Sequence, residues 1–242
     1  MKFSVVVLTC FTTLGVLIAQ EDANFDEFDD FEDEIQEQMD ATRVADPIEP
    51  VNRGCCWLND KLYFYALKPV AIGYKTVTPK PVRNSVNNFF ENLGFPKRLV
   101  NNLLQLKFRG AAEELRNFTF NTTAGCLGLF DVAEDHYGWE PRAEDFGQTM
   151  AHYGAGQWMA VHLPIFGPSN LRDSLGMLSD MFLDPVMLVD SMGGRIAIRA
   201  GDTVNLTSLN IGMYESIKEE NLDLYRFMQD AYEQNRAKKI EE

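Results

Sequence analysis

The side chains best suited to chemistry are few and scattered. The three histidines are His136, His152 and His162. His152 sits beside Tyr153 and Gly154, and His162 lies between Val161 and Leu163, so neither has a second ligand at metal-binding spacing. Each reads as a structural histidine. Ser169 follows a Gly-Pro pair in GPSNLRD (167–173), without the Gly-x-Ser-x-Gly elbow of a hydrolase nucleophile. Its place just ahead of Leu171-Arg172-Asp173 reads as a helix N-cap. There is no glycine-rich phosphate loop, and the cysteines form neither a Cys-x-x-Cys nor a His-Cys pattern. A hydrolase needs two or three such parts together, so an enzyme is disfavoured. A lipid-cleaving enzyme using His152 or Ser169 is the alternative of that class.

Charge narrows the remaining classes. The chain of 242 residues carries a formal net charge of −14, against the basic face that nucleic-acid binding requires. Residues 21–40 hold eleven Asp or Glu and no Lys or Arg, so the rest of the chain is nearly neutral. This stretch, within an acidic segment spanning 20–45, reads as a disordered tail. A short docking helix bearing Phe25, Phe28 and Phe31 is the alternative. Ahead of it, Met1-Lys2 and the apolar run 3–19 read as a secretory signal cleaved after Ala19, with a retained membrane anchor as the rival. Cys10, preceded by Val7-Leu8-Thr9, is a poor lipidation site. Export permits disulfides, and either Cys55 or Cys56 could reach Cys126. The plainer expectation is three buried small apolar side chains.

The elements that must position any site are helical. Residues 50–77 are rich in apolar and aromatic residues, and Pro69 should kink or split a helix there. NSVNNFFENLG (84–94) reads as a short amphipathic helix ended by Gly94 and Pro96. Residues 97–118 place Leu99, Leu103, Leu104, Leu106 and Phe108 on a broad apolar face with Asn and Lys opposite. FNTTAGCLGLFDVA (120–133) is uncharged until Asp131 and suits close helix packing or a membrane-facing turn. Residues 133–147 read as a long polar loop. Pro164, Pro168 and Pro185 should cut 148–200 into short helices, and two helical patterns close the chain, with Leu222, Tyr225, Met228 and Tyr232 at helical spacing. No segment after residue 20 reads as a spanning helix. An all-helical globule and a protein lying in one membrane leaflet are both compatible with this, and periodicity alone favours the globule.

Six motifs in series resemble the MlaA (VacJ) family, outer-membrane components of the system that maintains lipid asymmetry. They are DPIEPVNR (46–53), LKPVAIGYKTVTPKPVRNSVNNFFENLGFP (67–96), LVNNLLQLKFRGAAEELRNFTFNTTAGCLGLFDVA (99–133), EDFGQTMAHYGAG (144–156), LPIFGPSNLRD (163–173) and YRFMQDAYEQNR (225–236). The resemblance implies an MlaA-like helical domain over 46–242. Its fold would be all-α, a ring-like assembly of amphipathic helices lying in the inner leaflet of a Gram-negative outer membrane around a polar channel. Mislocalised phospholipids would pass through that channel to a periplasmic lipid carrier, with a trimeric porin as partner and with neither cofactor nor catalysis. A helical porin- or lipid-associated scaffold without transport is the alternative.

Within the matching motifs, Asp145, Gln148, Arg172 and Asp173 are candidates for channel or structural polar roles. Phe89, Phe90, Leu103, Leu104 and Phe108 are candidates to face lipid, and Lys97, Arg98, Lys107 and Arg109 to sit at headgroup level. The Gly-rich stretches 125–128 and 154–156 are candidates for non-helical backbone at membrane depth. Departures from the family pattern fall at Cys56-Trp57-Leu58-Asn59-Asp60, Gln157-Trp158-Met159-Ala160, Cys126 and His162.

Overall fold

A computed structural model describes residues 44–241. The stretch 1–19 read as a signal, Cys10 within it and nearly all of the acidic segment lie outside the described residues.

Helix α1 (Glu49–Leu62) starts with a proline in its first turn and Glu49 beside it, both suited to a helix N-terminus. It does not stop at its end. The backbone widens to a π turn over Tyr63–Leu67, where the Lys68 N–H donates to the Tyr63 carbonyl five residues back, and continues as α2 (Lys68–Val77). The expected break at Pro69 is therefore absorbed as a wide turn just ahead of the ring. Pro69 cannot donate to the carbonyl four residues back and would clash with it. Helix α3 (Lys80–Leu93) begins four residues earlier than the apolar pattern suggests, because Pro79 and Pro81 preset its first turn.

Residues 97–118 are two helices, α4 (Phe95–Leu104) and α5 (Phe108–Thr123). The break falls at Leu106, which adopts a left-handed conformation (φ 59°). A short helix, α6 (Val132–Tyr137), lies in what reads as a loop; Asp131 caps it by accepting from the Glu134 N–H, and Gly138 (φ 64°) ends it. Helix α7 (Phe146–His152) is capped by Asp145. A hairpin of β1 (Ala160–Leu163) and β2 (Gly167–Asn170) follows, antiparallel, with Val161 opposite Ser169 and His162 opposite Pro168. Short helices were expected here. Pro168 is compatible with a strand because both strands of a two-stranded sheet are edges.

Helix α8 (Leu171–Asp180) is capped by Asn170, not by Ser169. Ser169 is buried in β2 and receives a hydrogen bond from the Ser174 hydroxyl (3.1 Å). Two 3-10 turns, Met181–Leu183 and Pro185–Leu188, lead to α9 (Met192–Leu209), α10 (Met213–Glu220) and α11 (Leu224–Glu241). Helix α9 packs on α2 and α3, α4 on α5, α7 on α8, and α11 on β2 and α7. Apart from the one hairpin, the described elements are helical, in keeping with an all-α protein.

The burial pattern is reversed from that of a water-soluble globule. Seven apolar or aromatic residues are buried among the described residues, four of them alanines, against twenty-three polar or charged ones. Large apolar side chains lie outside instead, among them Tyr65, Val77, Leu106, Phe108, Ile165, Phe166, Phe182 and Leu188. The globule favoured by periodicity fails on this point, since a water-soluble core is built from Leu, Ile, Val and Phe. No described helix is long and apolar enough to cross a membrane.

Candidate functional site

A polar interior survives only if its groups pair with one another. Here most of the buried side chains on the polar faces do so through long-range hydrogen bonds, although a few buried atoms, Asn102 Oδ1 and Arg172 Nη2 among them, have no hydrogen-bond partner. Asn52 and Asn59 lie seven residues apart on one face of α1. The Asn52 amide donates to the Ala160 carbonyl (3.0 Å) and accepts from the His162 N–H (2.9 Å), acting as a further peptide unit on the edge of β1. Asn59 does likewise at the turn, donating to the Leu163 carbonyl (2.9 Å) and accepting from the Ile165 N–H (2.6 Å). The hairpin is thus stitched to α1 by side chains. Further along, buried Arg83 of α3 donates to the Ser208 carbonyl of α9 (2.6 Å), and Asn205 of α9 donates back to the Arg83 carbonyl (2.9 Å).

Helices α4 and α5 turn their polar faces toward the segment 139–145. Glu114, fully buried, accepts from Arg98 Nε (2.7 Å) and from the Arg142 N–H. Asn117 donates to the Glu140 carbonyl (3.2 Å). Gln105 donates to Glu144 (2.8 Å), which also holds Lys107 Nζ (2.8 Å). Asn101 donates to Asp180 of α8 (2.9 Å). Burial pushes the Asp180 carboxyl up, opposed by the Asn101 amide and the Phe146 N–H.

The four polar candidates meet in one cluster. Asp145 caps α7 through the Gln148 N–H (3.0 Å) and takes a second bond from the Gln148 amide (3.1 Å). Asn170 and Asp173 bond each other at the start of α8, with Asp173 N–H to Asn170 Oδ1 at 2.8 Å and Asn170 Nδ2 to Asp173 Oδ2 at 2.7 Å. Arg172 Nε donates to Asp173 (2.9 Å). The piece that joins the two helix starts is Arg236, from α11. Its guanidinium grips Asp145 with two bonds (2.6 and 2.9 Å) and Asp173 with a third (2.8 Å), while Tyr232 donates to Asp173 (2.7 Å). Burial alone would raise both aspartates; the Arg236 guanidinium overrides it and holds each carboxyl below the usual carboxylate range. The two Arg and two Asp balance in charge, as a buried cluster must. The cluster requires glycine at two places. A Cβ on Gly147 would stand 2.3 Å from Asp173 Oδ1, and one on Gly176 would stand 2.5 Å from the Gly147 nitrogen, so α7 and α8 meet backbone to backbone.

The other candidates separate. Leu103, Leu104 and Phe108 are exposed, whereas Phe89 and Phe90 are half-buried and stack edge-on (5.6 Å). Arg98 and Lys107 are held by Glu114 and Glu144. Arg109 has a side chain 90% exposed that pairs with Glu113 one turn on (2.9 Å), and Lys97 is half-buried. His162 is buried with its neutral form favoured, because burial pushes its pKa down. His136 and His152 are exposed. Cys55, Cys56 and Cys126 are free thiols; Cys56 is buried as expected, but Cys126 is exposed in the loop after α5. No group of His, Cys, Asp or Glu among the described residues is arranged to hold a metal. Both Gly-rich stretches are non-helical.

Sequence reasoning missed Arg236, Tyr232 and Glu114, and it placed the Asn residues of α4 opposite the apolar face without giving them a role. The signal lies in their type. A water-facing helix surface is built mainly from Lys and Glu, whereas Asn101, Gln105 and Asn117 are uncharged and are buried with hydrogen bonds made.

Known proteins share this architecture. The family model described as MlaA lipoprotein matches residues 44–239. An uncharacterized protein of Rickettsia bellii is 32% identical over 199 residues, covering 82% of this chain and 78% of its own. The intermembrane phospholipid transport system lipoprotein MlaA of Escherichia coli is 36% identical over 141 residues, 57% of this chain and 56% of that protein. A solved structure described as the "Structural basis for maintenance of bacterial outer membrane lipid asymmetry" superposes with a TM-score of 0.65 at 28% identity, covering 81% of this chain and 99% of the other.

Proposed function

The chain belongs to the MlaA lipoprotein family, and on that premise we propose that it is an outer-membrane component of phospholipid transport. In this reading it removes phospholipids misplaced in the outer leaflet and passes them along a polar path to a periplasmic lipid carrier, docked on a trimeric porin. The observation that carries the reading is the reversed burial: polar groups inside and large apolar side chains outside. Such a protein is matched to hydrocarbon around it. A charged headgroup crossing a leaflet is costly in hydrocarbon and needs a polar route beside which its tails stay in lipid.

The named parts take roles accordingly. Leu103, Leu104 and Phe108 face acyl chains, and Arg109 and Lys97 meet headgroup phosphates. Asp145, Gln148, Arg172 and Asp173, with Arg236, brace the wall of the path by fixing α7, α8 and α11 to one another. Arg98 and Lys107 serve the interior through Glu114 and Glu144. The work is transfer, with no bond made or broken.

Vesicles carrying a headgroup-labelled phospholipid and the purified protein test this. The label moves to a soluble lipid acceptor faster than from protein-free vesicles. An unchanged rate favours a scaffold that binds porin or lipid and moves nothing.

A further inference from the structure

The loop between α5 and α6 combines three features. Residues 117–130 carry no charged side chain. Leu127, Leu129 and Phe130 are exposed, at 66%, 39% and 57%, with Cys126 exposed among them. The backbone nevertheless uses its own donors. The N–H groups of Ala124 and Gly125 donate to the Phe120 carbonyl (2.9 and 3.2 Å). Those of Leu127 and Gly128 return to Thr122 and Asn121 (2.9 and 2.8 Å), and that of Phe130 reaches Gly125 (3.0 Å). Closing the chain on itself in this way takes three successive left-handed residues: Cys126 (φ 53°), Leu127 (φ 63°) and Gly128 (φ 87°). Two of the three are not glycine, and each left-handed non-glycine residue is unfavourable by about 1 kcal/mol or more. Asn92 of α3 supports the turn from behind, its amide 3.1 Å from the Thr122 hydroxyl, and a Cβ on Gly128 would stand 2.5 Å from the Asn92 Cβ.

From this combination we propose that Cys126–Phe130 is a membrane-inserting tip that enters the acyl-chain region of the leaflet. Irregular backbone is excluded from hydrocarbon unless its polar groups are satisfied, and here the N–H groups of Leu127, Gly128, Leu129 and Phe130 are satisfied inside the loop while the exposed side chains of Leu127, Leu129 and Phe130 are apolar. A protein partner is a poorer fit. A protein interface carries about one hydrogen bond per 100–200 Å², and this tip keeps most of its backbone donors for itself. The tip is an anchor beyond the helix faces, and the inference rests on the membrane reading given above.

Cys126 is the probe for the test. The full chain is prepared with it as the single cysteine (Cys10→Ser, Cys55→Ser, Cys56→Ala), labelled with an environment-sensitive fluorophore, and placed in phosphatidylethanolamine–phosphatidylglycerol vesicles containing lipids spin-labelled along their acyl chains. A second preparation carries the label at Phe108→Cys with Cys126→Ser. The expected result is a blue-shifted emission at Cys126 and strong quenching by the acyl-chain spin labels. Water-like emission at Cys126 with quenching at the Phe108 position overturns the tip and leaves the membrane reading standing. A shielded label at Cys126 that lipid does not quench overturns it in favour of protein contact. Absence of quenching at both positions overturns the tip and the membrane reading together.

Discussion

Replacing Arg236 by Met removes a cation of α11 that bonds the aspartates at the starts of α7 and α8. Its side chain is 8% exposed, that of Asp173 6% and that of Asp145 28%. Three charge-assisted bonds vanish; Asp145 loses its cation, and Asp173 keeps only Arg172. Removing one partner of a buried pair costs about 3–5 kcal/mol. Asp145 reaches some water, which places the expected loss toward the lower end, about 3 kcal/mol. For a domain of this size that lowers the melting temperature by about 6–12 °C. Arg236→Lys keeps the charge but cannot grip both carboxylates in the same fork, so it falls between.

The pH dependence has a defined sign. Both aspartates have folded pKa values below their unfolded ones, so their contribution is complete above the ordinary carboxylate pKa of about 4 and is lost as pH falls through the folded values. In Arg236→Met both carboxylates lose the Arg236 guanidinium that holds their pKa values down and take up protons more readily, so the gap between variant and wild type narrows on acidification. Thermal unfolding in mild detergent, followed by circular dichroism at neutral pH and near pH 4, measures both. A shift under about 2 °C, or a gap that widens with acid, refutes the claim that this cluster is a desolvated clasp.

Other outcomes follow from the same packing. Asn52→Ala orphans the Ala160 carbonyl and the His162 N–H, at about 1–3 kcal/mol for each unsatisfied group, and hydrogen exchange across the hairpin should accelerate selectively. Gly147→Ala, whose Cβ meets Asp173, should destabilise the protein, while Gly201→Ala, with nothing within 4 Å of its Cβ, should raise helix stability by about 0.8–1 kcal/mol; melting of the two variants distinguishes local crowding from a general intolerance of Gly-to-Ala change. His162 resists protonation in the folded state, so it withdraws stability as pH falls below its unfolded pKa of about 6.5; His162→Gln should flatten that part of the stability–pH curve. Leu104→Asp and Phe108→Asp place a charge on exposed apolar positions, and fractionation should show less protein retained in the outer membrane.

Much of this was legible in the residues, for identifiable reasons. Caps are local, so the Asn170 N-cap sits where a helix start was expected, displaced by one residue from Ser169. Asp145, Gln148, Arg172 and Asp173 stood out singly as polar residues in two motifs, but nothing local showed that they meet or that Arg236 joins them. Arg236 lies 91 positions from Asp145, and an Arg in a polar helix gives no local sign of a buried partner. The hairpin was hidden because Pro168 argues against a central strand and because its edge is completed by the side chains of Asn52 and Asn59, 100 residues away or more. Periodicity located amphipathic faces correctly in α4 but could not tell which face was inside, since the same spacing of apolar residues serves a helix whose apolar side meets a core and one whose apolar side meets lipid.

If this inside-out protein clears phospholipid from the outer leaflet, its loss must leave phospholipid there. The decisive quantity is outer-leaflet phospholipid in the native bacterium, measured with and without the gene and after complementation. Deletion should raise it, the wild-type gene should restore it, and Arg236→Met should restore it poorly. An unchanged level, with the protein confirmed in the outer membrane and no second copy of the gene, would contradict the clearing role.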